Sequence, residues 1–363
     1  MTRQACARII EYVLKFHEKS INIHDITEDV KGCLIKRPFA EVYGRLYSVF
    51  LSGQVYSCAH CAGAEKMNSI HLDLLSTETN FYHTDKYTTR AIEVKNDKVP
   101  LFLLHGGGGH AETYSRNLTS LAKSARPIAI DFIWHGMSSA PPFSDDPPSS
   151  STHWVAQFTD QLLNLMDHLD IDRASVEGES LGGWIAYDMA INHPDRTHSV
   201  ILNTTWGMAL DPTKVHEGES DLAALRETSV NALLNPTKEL LKKRLDWLMP
   251  LGGVTDELVD LRQALWQIPR TQKALLEYYD RLFAPNISDF YFTEQEIREI
   301  KCPTLVMWTD KNPVHGVDAA ERLTELISDS RMHVMKDCAH WPQWERPDEH
   351  DSVICDFLDR IDT

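Results

Sequence analysis

The stretch Val176-Glu177-Gly178-Glu179-Ser180-Leu181-Gly182-Gly183-Trp184 constrains this chain more than any other. It reads Gly-x-Ser-x-Gly between an apolar run, Ala174 to Val176, and an apolar helical segment, Trp184 to Ile191. A serine on so tight a strand-to-helix turn needs small residues on both sides. Gly178 and Gly182 permit the sharp turn and keep neighbouring backbone away from the hydroxyl. The strand carries the Ser180 Oγ to the sheet edge, and the helix N-terminus turns backbone N–H groups toward a developing oxyanion. The five-residue pattern also recurs by chance as a Gly-rich turn with a spare serine, so its meaning rests on partners elsewhere in the chain.

Those partners are sought along an α/β pattern. Thr79 to His83 and Thr89 to Val94 alternate as a hairpin does. Pro100 to Leu104 is a short, wholly apolar run, as in a strand buried on both faces, and it leads into His105-Gly106-Gly107-Gly108-Gly109-His110. Four glycines there let backbone approach a ligand; a mobile turn or a phosphate cradle are other readings, and no Gly-Lys-Ser/Thr follows to support the cradle. Arg126 to Ile130 is the next strand. His153 to Leu169 is an amphipathic helix returning the chain to the strand before Ser180, and Ser199 to Asn203 is another buried strand. Alternating strand and helix predict a mostly parallel sheet covered on both faces.

From about Gly207 to Phe292 the texture changes to helix after helix without a strand signal: Asp221 to Leu234, Lys238 to Leu248, Asp256 to Gln267 and Gln272 to Phe283. A helical insert of this size between sheet strands reads as a lid. Pro303 to Trp308 restores the sheet, Val317 to Ile327 is a helix, Arg331 to Met335 a last strand, and Pro347 to Ile361 a closing helix. Residues 1–66 carry helical periodicity without paired catalytic residues, and are expected to form an arm or a subunit contact. The expected division is therefore 1–66 as helical extension, 67–206 with 293–363 as α/β core, and 207–292 as lid.

A net charge of −17 without a basic cluster speaks against nucleic acid. No apolar run approaches the ~20 residues of a membrane helix, and Met1 to Leu14 lacks a secretory h-region. Seven cysteines, an odd number at irregular spacings, point to a reducing, cytoplasmic setting. Cys58-Ala59-His60-Cys61 is a close pair without the second pair a zinc site wants, so no metal or other cofactor is expected.

A serine hydroxyl needs a base within hydrogen-bond reach. His340, in Cys338-Ala339-His340-Trp341, follows the last strand and so falls at the same sheet edge as Ser180. The order of Gly-rich turn, serine turn and late histidine resembles the α/β-hydrolase fold over about residues 69–363. Within it, His105-Gly-Gly-Gly-Gly-His-Ala-Glu, Gly178-Glu-Ser-Leu-Gly-Gly-Trp, Leu202-Asn-Thr-Thr and His340-Trp-Pro-Gln-Trp-Glu resemble the meta-cleavage-product hydrolases, which cut a carbon–carbon bond in ring-fission products of aromatic degradation. The resemblance implies Ser180 as nucleophile or base toward water, His340 as proton shuttle, and the Gly107 and Leu181 N–H groups as oxyanion hole. It implies a pocket bordered by Gly106, Gly108, Glu179 and Trp341, the last also readable as a plain core aromatic. Arg262, in Val259-Asp-Leu-Arg-Gln-Ala-Leu-Trp, would face the substrate's carboxylate end; its other reading is a lid surface arginine.

One position departs from the family. The catalytic aspartate, four residues after Trp308, is here Asn312, in Trp308-Thr-Asp-Lys-Asn-Pro. An amide oxygen still accepts the His340 Nδ1–H but cannot balance an imidazolium charge. Asp310 is the alternative third member, and Asn312-Pro313 also reads as a turn initiator. The expected activity is C–C hydrolysis of a dienoate ring-fission product. A carboxylester or lactone hydrolase is the alternative, and a ligand-binding relative with a weakened triad a third reading. The expected partner is a small molecule, with room for a homo-oligomer.

Overall fold

Apolar runs flanked by glycine and proline dictate the frame, and they appear as strands in a computed structural model that describes residues 69–143, 153–215 and 222–361. The helical arm expected over residues 1–66, and with it Cys58 and Cys61, lies outside the described residues. A hairpin of β1 (Glu78–His83) and β2 (Thr88–Glu93) begins an eight-stranded sheet, followed by β3 (Pro100–Leu104), β4 (Arg126–Ile130), β5 (Ala174–Glu179) and β6 (Thr197–Asn203). Two further sheet strands, β9 (Thr304–Thr309) and β10 (Ser330–Met335), come after the insert.

The sheet order is β1-β2-β4-β3-β5-β6-β9-β10. Pairing is antiparallel for β1 with β2 and β2 with β4, and parallel for the rest. The central strands alternate sides, so their inward residues feed two cores. Phe102, Leu104, Val176 and Val200 join one core with Trp184 and the helix His153–His168. Leu101, Leu103, Ile201 and Leu305 join the other with Ile354 and Phe357 of the helix Pro347–Ile361. This is why Pro100–Leu104 reads as continuously apolar: both faces are covered.

The insert holds four long helices: α1 (Leu222–Leu234), α2 (Lys238–Leu248), α3 (Asp256–Trp266) and α4 (Pro269–Leu282). Thr237 and Thr255 accept the N–H groups of Leu240 and Leu258, which fixes the starts of α2 and α3. The strand-free expectation for this region is corrected at its ends. Two-residue strands β7 (Met208–Ala209) and β8 (Phe292–Thr293) pair in parallel and draw the two ends of the lid together. Helix α4 also begins earlier than periodicity suggested, because Pro269 suits a first helical turn, where no N–H is needed.

Behind the Ser180 strand lies a buried charge relay. His350 Nε2 is 2.7 Å from Glu177 Oε1, and His350 Nδ1 is 2.8 Å from Asp351 Oδ1. Although burial opposes charge on the ring, the two carboxylates lift His350 to about 10. Asp351 is itself pushed up, since burial outweighs its bonds to His350 and Asn117. His350→Leu leaves the Glu177 carboxylate buried without its cation and is expected to lose about 3–5 kcal/mol in denaturant unfolding. A raised imidazole contributes stability that is full below its unfolded value near 6.5 and is lost as pH rises through about 10. The variant should therefore show a smaller loss of stability than wild type over that alkaline interval.

Candidate active site

The geometry of the serine turn follows from its glycines. Ser180 has φ 52° and ψ −110°, a left-handed conformation unusual for a side chain, which costs about 1–3 kcal/mol and holds the hydroxyl outward. Its carbonyl accepts from Gly183 at 3.0 Å and Trp206 at 3.1 Å, locking the turn. A Cβ at Gly178 would sit 2.1 Å from the Gly182 carbonyl, and one at Gly182 would sit 2.1 Å from the Leu104 oxygen. Both glycines are therefore sterically required, as their spacing suggested. Ser180 is 8% exposed and opens into a pocket together with Leu181, the first residue of the helix Leu181–Asn192.

His340 enters the same pocket from the loop after β10. Its peptide is held on both sides: the Glu345 carboxylate accepts from Ala339 N at 3.0 Å and Trp341 N at 2.9 Å. The His340 carbonyl accepts from Thr204 Oγ1 at 2.9 Å, and its N–H donates to Leu248 of α2 at 3.2 Å. The glutamate of His340-Trp-Pro-Gln-Trp-Glu is thus the clamp of the histidine loop. At the ring, His340 Nδ1 lies 2.8 Å from Asn312 Oδ1. An amide oxygen can only accept, so Nδ1 carries the hydrogen and Nε2 is left with its lone pair free to accept a proton. Asp310 is placed elsewhere: its Oδ1 faces the Cys338 N–H at 3.4 Å and its Oδ2 faces Lys311 Nζ at 3.8 Å. Of the two candidates left open in the sequence, Asn312 is the one within hydrogen-bond distance of the His340 ring.

The Gly-rich turn forms the facing wall. His105 Nε2 accepts from Phe132 N at 3.2 Å, so its Nδ1 donates to the Gly106 carbonyl at 2.8 Å. Gly107 O accepts from Arg244 Nη2 at 2.9 Å and Tyr279 Oη at 3.2 Å, and Gly108 O accepts from Trp266 Nε1 at 3.2 Å. The turn's carbonyls are thus engaged away from the serine. Gly106 and Gly107 border the pocket; Gly108, at φ 74°, is turned into the packed face of the lid beside Tyr279 and Trp266.

Glu179, the residue between glycine and serine, is fully enclosed in the pocket, with Oε1 3.3 Å from His340 Nε2. Burial pushes its carboxyl up to about 8, against the pull of the Gly106 N–H and of Arg244 and Arg262. Burial, with Arg244 and His315 adding repulsion, holds His340 down to about 3. Both shifts favour the uncharged forms, a carboxylic acid beside a neutral imidazole, over an ion pair.

Two lid arginines complete the site. Arg262 is 0% exposed, which removes the reading of a lid surface arginine. Its guanidinium stands 5.7 Å from the Trp266 ring centroid and 5.6 Å from that of Trp341, behind the pocket wall that Trp341 forms. Among the described residues none of its three side-chain nitrogens has a hydrogen-bond partner, and burial together with Arg244 lowers it to about 9. Arg244 of α2, which sequence reasoning passed over, lines the pocket directly, and its Nη1 has no acceptor among the described residues. Its signal was available: it shares the inward face of α2 with Leu241, Leu245 and Leu248.

A family model described as alpha/beta hydrolase fold matches residues 99–347. The 2-hydroxy-6-oxononadienedioate/2-hydroxy-6-oxononatrienedioate hydrolase of Escherichia coli O81 (strain ED1a) is 30% identical over 265 residues, covering 71% of this chain and 86% of that one. The solved meta-cleavage product hydrolase of Pseudomonas fluorescens IP01 aligns with TM-score 0.64 at 23% identity, over 78% of this chain and 97% of that one. The 2-hydroxy-6-oxo-6-phenylhexa-2,4-dienoate hydrolase of Rhodococcus sp. strain RHA1 aligns with TM-score 0.66 at 19% identity, over 78% and 98%. With the model spanning the sheet from β3 through the lid to the histidine loop, and a curated relative covered over most of its length, the chain belongs to the α/β-hydrolase family, where it resembles the meta-cleavage-product hydrolases.

Proposed function

We propose that the protein hydrolyses a carbon–carbon bond in a vinylogous diketone of the 2-hydroxy-6-oxohexa-2,4-dienoate type. Ser180, His340 and Asn312 are the catalytic set, and the Gly107 and Leu181 N–H groups are the oxyanion hole. The observation that carries this reading is the pair of buried lid cations. Among the described residues, Arg244 and Arg262 leave guanidinium N–H groups unpaired at and behind the pocket wall. An unpaired buried cation costs several kcal/mol, and a substrate carboxylate relieves that cost. A neutral ester or lactone offers these groups a carbonyl acceptor but no counter-charge, although the serine and histidine would act on it in the same way.

In the reaction, the dienol is first protonated on carbon to its keto form. Water or the Ser180 hydroxyl then adds to the remote ketone, giving its proton to His340 Nε2. The carbonyl electrons move onto oxygen, where backbone N–H groups hold them. Collapse expels the neighbouring carbon as an enolate stabilised by conjugation, which takes up a proton. The setting we infer is cytoplasmic, consistent with reduced Cys302 and Cys338, both buried; among the described residues no helix is long and apolar enough to cross a membrane.

The experiment compares one dienoate as free acid and as its methyl ester at the carboxylate. Masking that charge is expected to lower kcat/KM by about 10- to 100-fold, the size of a charge-assisted hydrogen bond. Arg262→Met should shrink the difference. Equal turnover of both forms would remove carboxylate recognition from the account.

A further inference from the structure

Asn312 leaves His340 without an anion on its Nδ1 side, yet a carboxyl stands on the other side of the ring. Glu179 Oε1 is 3.3 Å from Nε2, the atom that must take the nucleophile's proton. The carboxyl is fixed there by its own strand: β5 ends at Glu179, and the strained Ser180 follows at once. Its Oε2 lies so close over Gly106 that a Cβ there would be 2.4 Å away, so the group sits between the histidine and the oxyanion turn. Among the described residues neither carboxyl oxygen completes a side-chain hydrogen bond, although both are buried. Touched by the Gly106 N–H and set beside the catalytic base, this buried acid is placed to exchange a proton with the ring.

We propose that Glu179 is a second catalytic acid, which protonates the leaving group as His340 takes the proton of the nucleophile, and whose carboxylate is then the counter-ion to the imidazolium. The inference rests on Ser180 and His340 as the reactive pair, not on which bond is cut. The balance is as follows. The O–H bond of Ser180 breaks and an Nε2–H bond forms, while Oγ bonds to the carbonyl carbon. When the tetrahedral adduct collapses, the departing carbon or oxygen keeps the bonding pair and takes the Glu179 proton. The site then holds an acyl group on Ser180, an imidazolium and a carboxylate 3.3 Å apart. Transfer of the Nε2 proton to Glu179 restores the neutral pair. Water then adds to the acyl carbon through the same base, and Ser180 recovers its hydrogen from the imidazolium.

The groups facing Glu179 are consistent with an acid that gives up its proton on demand. Arg244 and Arg262 of the lid and the Gly106 N–H favour its ionised form, whereas burial and Glu177 hold it protonated at rest, at about 8. Tyr114 and Tyr278 also feel its charge, but each phenol is pushed well above its ordinary value and stays neutral. His340 stays neutral until it accepts the proton.

A leaving-group test separates this role from a structural one. Hydrolysis is measured for the ethyl and p-nitrophenyl esters of one carboxylic acid, and for the dienoate, from about pH 6 to about pH 10. p-Nitrophenolate departs without a proton; ethoxide and the dienoate's enolate are far more basic, and an acid at the leaving group assists both. Glu179→Gln is expected to lose about 10²-fold or more on ethyl ester and dienoate, with a loss at least about tenfold smaller on the p-nitrophenyl ester. Wild-type turnover of the proton-requiring substrates should fall as pH rises through about 8, since the acid form is consumed there. Glu179→Asp, which keeps a carboxyl, should retain that fall, and Glu179→Gln should lack it. Equal losses for both leaving groups, or no loss, overturn the proposal. Should Glu179→Gln not fold, wild type alone decides: turnover of the ethyl ester and dienoate that does not fall above about pH 8 overturns it as well. Failure of the dienoate alone, with the ester contrast intact, counts against the C–C reading instead.

Discussion

Ser180→Ala is expected to lower turnover by about 10⁴- to 10⁶-fold, the range seen when one member of a catalytic set is removed. Fold and ligand binding should survive. The hydroxyl faces the pocket, and the turn is held through the Ser180 carbonyl by the N–H groups of Gly183, Trp184 and Trp206. Alanine tolerates the positive φ no better than serine, so the thermal midpoint should stay within about 2 °C of wild type. A variant that binds the dienoate yet leaves it uncleaved places the loss in the chemical step. Wild-type turnover in a contamination-free preparation would take the serine out of the mechanism.

The second large effect concerns the support of His340. Asn312 Oδ1 accepts at 2.8 Å from Nδ1 and also from the Val314 N–H at 3.1 Å, so one amide fixes both the tautomer and its own loop. Asn312→Leu removes the only acceptor seen at Nδ1 among the described residues. The base then equilibrates into the wrong tautomer, and a loss on the order of 10⁴ in turnover is expected, as when a triad acid no longer directs its histidine. Asn312→Asp should instead raise turnover, because an ionised carboxylate stabilises the imidazolium. Asp310→Asn should change it less than about threefold, since Asp310 bonds backbone 28 residues along the chain rather than the ring. Thermal midpoints measured beside turnover separate catalytic loss from unfolding. A severe loss in Asp310→Asn with Asn312→Leu active would reverse the assignment.

Most of the frame was legible because its strands and glycines obey strict local rules. Pro100–Leu104 admits no polar residue, since both faces are covered, and Gly178 and Gly182 admit no Cβ, since backbone lies 2.1 Å from where it would be. The order of Gly-rich turn, serine and late histidine is fixed by which ends of parallel strands share an edge. Less visible were features that depend on a helix's unseen partner. Lys-Glu-Leu-Leu-Lys-Lys-Arg-Leu-Asp-Trp-Leu of α2 looks like a solvated helix, and only its register with Leu241, Leu245 and Leu248 turns Arg244 inward. Arg262 sits likewise among Leu258, Val259, Leu265 and Trp266 on the buried face of α3. An arginine at the centre of an apolar stripe is a readable sign of a buried cation. Strands β7 and β8 are too short to leave a periodic signal. The approach of Glu179 to His340 joins residues 161 positions apart, and no spacing rule could have brought them together.

The central claim is that the bond cut is carbon–carbon, and product identification addresses it directly. A 2-hydroxy-6-oxohexa-2,4-dienoate and a p-nitrophenyl ester are incubated side by side with wild type and with Ser180→Ala, and the products are resolved by mass and NMR. The account predicts that wild type converts the dienoate to a carboxylic acid and a 2-hydroxypentadienoate, with kcat/KM above that for the ester, and that Ser180→Ala forms neither. A dienoate left intact by enzyme that turns over the ester would contradict it, and would make this protein an esterase built on the same serine and histidine.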